Sequence, residues 1–349
     1  MSANWSIEQD FDEVLTNVGS CWAQLSGAHL FITGGTGFIG RWFLETLKLA
    51  DLRYNLNARA TILTRDPEKF SKKAPELFNA SIFTFVAGNV QDFDFPEGTF
   101  THLIHAATEA SAELNACDPR LMFDTVLNGT RRALDFAVEK KILRILNLSS
   151  GAVYGPQPFN MEYAGEDWLG APDCRRAVNA YGEGKRAAEM LCSIYEKQFG
   201  VSVTTARIFA VLGPYLSIDS HFAAGNFIRD AIADKKVIVQ SSGSAVRSYL
   251  YVADLTAQLW QLLFKGEAGQ AYNIGSSEGI SIKDLAGKVA MLLGKEGCEI
   301  LGKDDQGWNQ GRYVPDVSLV ENSLGLKHKT SLDEAIIRTA IWNGWKPWR

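Results

Sequence analysis

A tyrosine and a lysine four residues apart are the two residues in this sequence whose types and spacing best suit proton transfer. Tyr181 and Lys185 stand at the start of a helix-like segment, residues 180–199, so the spacing places them on one helix face. An ammonium group beside a phenol favours the phenolate, and we therefore expect Lys185 to lower the pKa of Tyr181 from about 10. A tyrosine tuned in this way is suited to general acid and base catalysis.

Two serines upstream of this pair end a strand-like run. Ser149 and Ser150 follow the sequence RILNL, and a serine at a strand end can donate a hydrogen bond to a reacting oxygen. Tyr-x-x-x-Lys alone is frequent by chance, but its combination with this serine pair and a glycine-rich turn near the start of the chain is far more specific. We predict that Ser150, Tyr181 and Lys185 form a catalytic group.

The glycine-rich turn follows the first strand-like run of the chain. The run HLFIT leads into GGTGFIG, and a helix-like pattern follows. Small residues let the backbone approach a pyrophosphate, and the N–H groups of the following helix point at the anion. An ordinary tight turn is the alternative. The residues predicted to bind a dinucleotide here are Gly34, Thr36, Gly37, Phe38, Ile39, Gly40 and Arg41.

The end of the second strand-like run bears on the choice of cofactor. This run ends in Leu63, Thr64 and Arg65, where an acidic side chain would hold a free ribose 2′-hydroxyl and an arginine would accept a 2′-phosphate. Arg41 adds a second positive charge after the last glycine of the turn. The pattern favours NADP(H), with NAD as the alternative if both arginines are solvated surface residues.

Strand-like runs alternate with helix-like segments through the first two thirds of the chain. This alternation predicts an α/β fold of Rossmann type, a doubly wound parallel sheet covered by helices on both faces. The strand-like runs are residues 29–33, 60–63, 82–87, 102–105, 142–148 and 202–208, and the clearest helix-like segments are 41–50, 125–140 and 180–199.

The rhythm of the pattern divides the chain into three regions. Residues 1–28 predict a helical N-terminal extension, because apolar residues recur at helical spacing, and residues 29–208 predict the dinucleotide-binding domain. From about residue 209 the rhythm changes, with a Gly-Pro break at 213–214, and residues 209–349 predict a smaller mixed α/β lobe that mainly binds substrate. The proline-rich segment 155–177 predicts a loop over the site.

Composition excludes several classes of function. The 349 residues carry a net charge of −5, which argues against a general nucleic-acid binder. Five widely spaced cysteines without Cys-x-x-Cys indicate reduced thiols in the cytoplasm rather than a disulfide framework or a zinc site. The acidic N-terminus is unlike a signal peptide, and no run approaches the roughly 20 apolar residues of a membrane span.

Taken together, the motifs resemble the extended short-chain dehydrogenases/reductases, the nucleotide-sugar epimerase/dehydratase family, from Leu30 to the end of the chain. Further segments are similar to that family: Gly88-Asn89-Val90 at the adenine edge, Ala106-Ala107 against the cofactor, Val126 to Thr130, Arg247 to Asp254, and Tyr272 to Gly275. The resemblance implies that Asn89, Val90, Ala106, Ala107 and Lys185 contact the cofactor.

The resemblance also implies a nucleotide-diphosphate sugar as substrate. Ser150 is then expected to orient the sugar oxygen, and Arg247 and Arg312 to bind the diphosphate, since guanidinium groups suit phosphate oxygens. Asn226 is a further candidate for substrate contact. Relatives commonly dimerise through the helices that correspond to residues 125–140 and 180–199, which implies a homodimer.

Two departures from the family pattern are informative. Gly151 and Ala152 stand where the dehydratases carry Asp-Glu, and the glutamate typical of sugar-nucleotide decarboxylases is also missing. The Arg-x-x-Asn of the family becomes Arg207 to Ala210, without the asparagine. We therefore expect hydride transfer at a sugar carbon, C4, by a 4-keto-sugar reductase or a 4-epimerase.

The sequence leaves two alternative functions open. A 4,6-dehydratase could take its acid and base from Glu162, Glu166 or Asp167 in the loop. A non-catalytic regulatory protein could use the same fold to bind the cofactor, since fold alone does not determine function. The intact serine, tyrosine and lysine argue against the second alternative.

Overall fold

The structure is a computed structural model that describes residues 5–108, 112–158, 160–219, 222–302 and 311–347. Residues 1–4 of the N-terminal extension and 303–310 of the C-terminal region lie outside the described residues. The strands are β1 (His29–Thr33), β2 (Arg59–Thr64), β3 (Phe83–Ala87), β4 (His102–His105), β5 (Arg144–Ser150), β6 (Val203–Ile208), β7 (Val211–Leu212), β8 (Val237–Val239), β9 (Val246–Arg247), β10 (Leu250–Tyr251), β11 (Ala271–Ile274), β12 (Ile280–Ser281), β13 (Cys298–Ile300) and β14 (Arg312–Tyr313).

Helices connect most of these strands. The α-helices are α1 (Ile7–Val18), α2 (Phe38–Tyr54), α3 (Pro67–Lys73), α4 (Pro75–Phe78), α5 (Ala112–Cys117), α6 (Pro119–Glu139), α7 (Ala180–Phe199), α8 (Ala223–Ile232), α9 (Val252–Lys265), α10 (Ile282–Leu292), α11 (Ser318–Leu324) and α12 (Leu332–Trp342). Short 3₁₀ helices cover Gly19–Leu25, Gly151–Tyr154 and Ala177–Asn179.

Seven parallel strands form the central sheet, in the order β11-β6-β5-β4-β1-β2-β3. The interior strand β1 is apolar and fully buried at Leu30, Phe31 and Ile32, as expected of a strand with helices on both faces. The predicted doubly wound fold is confirmed. The direction in which the strands are added changes at β1, which lies between β2 and β4. In folds of this kind, the carboxyl ends of the strands at such a switch point form the crevice that binds the ligand.

The chain beyond the sixth strand contributes both to this sheet and to smaller sheets. Residues 271–274 add β11 to the edge of the central sheet beside β6. The remaining strands pair as β7 with β10, β8 with β13, and β9 with β12 and β14. Helices α8, α10 and α12 pack on one another in this part of the chain.

Within the described part of the N-terminal region, helix α1 packs on the body of the protein. Helix α1 buries Phe11 and Leu15 against α9 and α2. Asp10 is also fully buried, and it accepts hydrogen bonds from the side chains of Trp5, Tyr251 and Arg338. These contacts tie the extension to β10 and α12. Among the residues that the structure describes, no helix is long and apolar enough to cross a membrane.

Candidate active site

The carboxyl end of β5 presents Ser150. The strand stops there because the sequence changes from RILNLSS to Gly151–Tyr154, which forms one turn of 3₁₀ helix. Ser150 caps this turn, with its Oγ atom 3.2 Å from the backbone nitrogen of Ala152, which donates to it. The side chain is almost fully buried, and the cap holds its hydroxyl at the edge of the sheet.

The first turn of α7 brings Tyr181 to this serine. The phenol lies close enough to Ser150 for the two side chains to interact, and the backbone nitrogen of Tyr181 donates to Asn115 Oδ1 at 3.1 Å. Removal from water raises the pKa of Tyr181 above its ordinary value, and the interaction with Ser150 opposes this rise. The structure therefore brings two of the three predicted catalytic residues together.

Lys185 lies one turn further along α7, but its ammonium group is held elsewhere. Nζ donates to the carbonyl oxygen of Leu148 at 2.6 Å and to Thr108 Oγ1 at 2.8 Å. Burial lowers the pKa of Lys185 to about 8. The expectation that Lys185 lowers the pKa of Tyr181 is wrong for the protein alone, because these two oxygens hold the charge and desolvation of the phenol dominates its pKa.

The glycine turn lies at the switch point of the sheet. Gly34 has φ +72°, and a Cβ atom there would lie 2.5 Å from the backbone of Ala106, just beyond β4. A Cβ atom on Gly40, in the first turn of α2, would lie 2.5 Å from Cα of Gly35. Helix α2 begins after Gly37 without a side-chain cap, which leaves its first N–H groups for an anion. This cradle fits the pyrophosphate of a dinucleotide.

The adenine side of this crevice is formed by the ends of β2 and β3. Thr64 ends β2 and its hydroxyl lies 3.2 Å from that of Thr36 in the glycine turn. Arg65 follows at an exposed position, while Asp66 is committed to capping α3 through the backbone nitrogen of Lys69. Among the described residues, no acidic side chain ends β2. The end of this strand therefore lacks the carboxylate that would accept a hydrogen bond from a free ribose 2′-hydroxyl.

Asn89 and Val90, which follow β3, have different surroundings. Asn89 lies in the loop, where its Oδ1 accepts from the backbone nitrogen of Gln91 at 3.2 Å. Val90 is buried close to Gly129 on α6, where a Cβ atom would lie 2.9 Å from the valine. Close packing of α6 against this loop therefore holds Val90 beside the crevice.

Arg41 does not behave as expected of a second phosphate-binding arginine. Its Nε lies 3.5 Å from Glu45 Oε1 on the same helix, and its guanidinium carbon lies 3.9 Å from the centre of the Tyr215 ring. The charge is thus neutralised within α2 and stacked on a residue from beyond β7. This pairing removes the reason for expecting an additional positive charge at the cofactor.

Thr108 connects the glycine turn to the catalytic helix. It follows Ala106 and Ala107, whose backbone lies against Gly34, and its hydroxyl accepts from Lys185. A continuous set of contacts therefore runs from the glycine turn at the end of β1 to α7. The predicted cofactor turn and the predicted catalytic group belong to one crevice.

A pair of aromatic rings that sequence reasoning missed forms one wall of this site. Phe209 follows β6 and Tyr313 ends β14, with ring centres 4.5 Å apart. The Tyr313 hydroxyl lies 3.5 Å from Ser150 Oγ, and a Cβ atom on Gly151 would lie 2.6 Å from the Phe209 ring. Each residue adjoins a position that the sequence singles out, Tyr313 beside Arg312 and Phe209 within the segment Arg207 to Ala210, but no local signal indicates that the two rings meet.

Behind this wall, a largely buried ion pair joins α7 to β6. Arg207 makes a two-pronged contact with Glu189, at 2.7 Å for the shortest nitrogen–oxygen distance, and donates to the Tyr154 hydroxyl. Glu189 also accepts from Ser149 at 2.5 Å. Since Glu189 lies one turn after Lys185, the ion pair anchors the catalytic helix to β6, and the bond from Ser149 anchors it to β5, the strand that carries Ser150.

The loop over the site is attached to β11 and β14. Glu166 accepts from the backbone nitrogen of Asn273 at 2.7 Å, and Ala164 donates its backbone N–H to Val314. Burial raises the pKa of Glu166 above its ordinary value. Arg312 donates from Nε to the carbonyl oxygen of Glu162 at 3.2 Å, so it too fastens this loop.

The other two substrate candidates lie in the C-terminal part of the chain. Arg247 pairs across β9 and β14 with Tyr313, and its Nη1 donates to the carbonyl oxygens of Val246 and Gly311 at 2.8 Å. Its guanidinium carbon lies 6.0 Å from the Tyr313 ring centre. Asn226 lies on α8 and accepts from Arg229 at 3.0 Å, and no contact in the described structure joins it to Ser150 or Tyr181.

Comparison with known proteins identifies the family. Residues 30–275 match the model of the NAD dependent epimerase/dehydratase family. The chain is 28% identical over 316 residues to UDP-glucuronic acid decarboxylase 6 of Arabidopsis thaliana, covering 89% of this chain and 87% of that protein.

Solved structures show the same fold. The dTDP-glucose 4,6-dehydratase of Streptomyces venezuelae, with NAD bound, superposes with a TM-score of 0.76 at 22% identity, over 90% of this chain and 96% of that one. The UDP-glucose 4-epimerase of Thermotoga maritima, with UDP-glucose, gives 0.75 at 20% identity, over 90% and 98%. With the matching family model, the glycine turn and the Ser150–Tyr181–Lys185 group, the chain belongs to the NAD dependent epimerase/dehydratase family and is an enzyme of the short-chain dehydrogenase type.

Proposed function

We propose that this enzyme transfers hydride at a sugar carbon, C4, of a nucleotide-diphosphate sugar, as a 4-keto-sugar reductase or a 4-epimerase. The observation that carries the proposal is the position of Tyr181 beside Ser150 in the crevice that begins at the glycine turn. Relatives named as decarboxylase, dehydratase and epimerase all act on nucleotide sugars, which supports the substrate class.

The proposed chemistry needs one hydride and one proton. A bound nicotinamide supplies or accepts the hydride. Ser150 donates a hydrogen bond that orients the reacting sugar oxygen, and Tyr181 gives a proton to that oxygen or takes one from it. Lys185, held by Thr108 and Leu148, is placed to hold the nicotinamide ribose. The glycine turn, with Ala106 and Ala107 behind it, would hold the pyrophosphate.

The surroundings of Gly151 favour reduction or epimerisation over loss of water. Dehydration beside a ketone needs a base at carbon and an acid at the leaving oxygen. Any side chain at position 151 would meet the Phe209 ring, and Ala152 carries no titratable group. Of the loop carboxylates, Glu166 already accepts a backbone hydrogen bond from Asn273. These contacts argue against a dehydratase with a relocated acid and base.

We further propose a preference for NADP(H) over NAD, which rests on Arg65. Arg65→Ala should weaken NADP(H) binding at least about tenfold and leave NAD(H) binding nearly unchanged, because a charge-assisted hydrogen bond to a 2′-phosphate contributes roughly 1.5–3 kcal/mol. Isothermal calorimetry with both cofactors measures this difference.

The matched control for this prediction is Arg59→Ala. Arg59 is an exposed arginine at the opposite end of the same strand, so its removal makes the same change in net charge far from the ribose. NADP(H) affinity should stay within about twofold of wild type in that variant. Tighter binding of NAD(H) than NADP(H) by the wild-type protein would contradict the preference.

We also propose how the chain is divided between cofactor and substrate, and how two copies associate. Residues 29–208 would bind mainly the cofactor, and residues 209–349 mainly the nucleotide sugar, with Arg247 and Arg312 near the diphosphate. Leu121 on α6, together with Met190 and Ile194 on one face of α7, is exposed, and such an apolar patch suits a homodimer through these two helices. The five cysteines are free thiols, which suits the cytoplasm.

A panel of nucleotide sugars tests the proposed function. The enzyme is incubated with UDP- and dTDP-sugars, including 4-keto-6-deoxy forms, and the products are identified by mass and NMR. We expect a product that keeps its nucleotide and all its carbon atoms and differs from the substrate only at C4. Release of carbon dioxide from a hexuronic acid would contradict the proposal.

A further inference from the structure

The hydrogen bonds around Ser150 determine where its single proton can point. A serine hydroxyl has one hydrogen and two acceptor lone pairs. The backbone N–H of Ala152 fills one lone pair at 3.2 Å. The Tyr313 hydroxyl lies 3.5 Å from the same oxygen, where its hydrogen can fill the second lone pair. This distance is longer than the usual 2.7–2.8 Å or so, as is frequent for catalytic contacts in free enzymes.

Tyr313 is suited to donate in this contact. Its phenol is largely buried and faces Tyr181, and both conditions raise the pKa of Tyr313 far above its ordinary value, so it keeps its proton. A hydrogen bond donated by Tyr313 leaves the Ser150 hydrogen to point at a third partner, the reacting sugar oxygen.

The position of Tyr313 is determined by contacts on both sides. Its ring packs on Phe209, and its backbone pairs with Arg247 in the small sheet. The next residue, Val314, donates its N–H to Gln157 Oε1 at 3.1 Å and accepts from the backbone of Ala164. Because these contacts fix the ring and the backbone of Tyr313, its hydroxyl can orient the Ser150 hydroxyl.

We propose that Tyr313 is a positioning residue that orients the Ser150 hydroxyl towards the reacting sugar oxygen. This inference rests on the proposed function of Ser150 and adds to it a residue that acts through Ser150. With both lone pairs of Ser150 occupied by donors, its hydrogen has one direction left. Removing the Tyr313 hydroxyl frees the rotation of Ser150, which should slow turnover and leave substrate binding nearly unchanged.

A double-mutant cycle tests this proposal in the full-length enzyme. Ser150→Ala should lower kcat by about 10²-fold or more, as the loss of an oxyanion-binding donor does. Tyr313→Phe keeps the ring on Phe209 and should lower kcat about 3- to 10-fold, with KM within about twofold. In the Ser150→Ala background, Tyr313→Phe should change kcat by less than about twofold, since two residues that act as a unit are not additive.

Tyr154→Phe provides the matched control. Its hydroxyl belongs to the same aromatic cluster, but it bonds to Asn273 and Arg207 rather than to Ser150. Its effect on kcat should be the same in both backgrounds. An equal loss from Tyr313→Phe with and without Ser150 would overturn the inference and leave the proposed function standing. Near wild-type turnover of Ser150→Ala would overturn the proposed function itself.

Discussion

Tyr181→Phe is expected to lower turnover by about 10²-fold or more while cofactor affinity stays within about twofold of wild type. The variant keeps the ring that packs beside Met122 and Val126, and it removes only the hydroxyl that lies beside Ser150. Loss of a general acid or base costs about 10²–10⁴ in rate. Steady-state kinetics and calorimetric titration of the cofactor measure the two quantities separately.

Tyr195→Phe is the control for this prediction. Tyr195 lies on the same helix, but its hydroxyl donates to Asp135 on α6, away from the site. Its turnover should remain close to wild type. If Tyr181→Phe also retains near wild-type turnover, another group moves the proton and the catalytic assignment fails.

Gly40→Ala is expected to weaken binding of the nicotinamide cofactor at least about tenfold. The added methyl group would point at the carbonyl oxygen of Gly34 and lie 2.5 Å from Cα of Gly35, both of which are backbone atoms of the phosphate turn. Overpacking of this kind costs about 1–3 kcal/mol, and the turn must open to relieve it. Calorimetry gives the affinity, and thermal unfolding gives the accompanying loss of stability.

Gly287→Ala is the matched substitution. Gly287 lies within α10, and a Cβ atom there meets no atom within 4 Å. The same change should therefore leave cofactor affinity unaltered and stabilise the protein by up to about 1 kcal/mol, because alanine favours a helix over glycine. Equal cofactor affinities in the two variants would show that the glycine turn does not hold the pyrophosphate.

The elements that carry the cofactor turn were predictable because their signals are local. The apolar run at 29–33, the glycines that follow it and the helical pattern after them lie within about one βα unit, and the structure forms β1 and α2 there. Tyr181 and Lys185 were likewise recognisable from spacing on one helix. The edge strand β11 was not predicted as part of the sheet, since its four residues carry too short a pattern.

The aromatic wall could not be predicted, because it depends on contacts between distant parts of the chain. Tyr313 and Ser150 are 163 residues apart, and nothing local to either residue indicates that they meet. The environment of Lys185 was missed for the same reason, since Thr108 and Leu148 reach it from other strands. Spacing along α7 gave the correct helix face but not the partner of the ammonium group.

The most direct test of the account is the cofactor balance with a 4-keto-6-deoxy nucleotide sugar. The purified enzyme is mixed with this substrate and NADPH, and the loss of reduced-nicotinamide absorbance is compared with the mass of the product. We expect one equivalent of NADPH to be consumed for each product molecule, which is heavier than the substrate by two hydrogen atoms. The reason is that Ser150 and Tyr181 provide one hydrogen bond and one proton transfer to a single ketone. Conversion of a sugar nucleotide at C4 without net consumption of added cofactor would instead assign epimerisation. A product lighter by one water would contradict both reactions and the proposed role of Gly151 and Phe209.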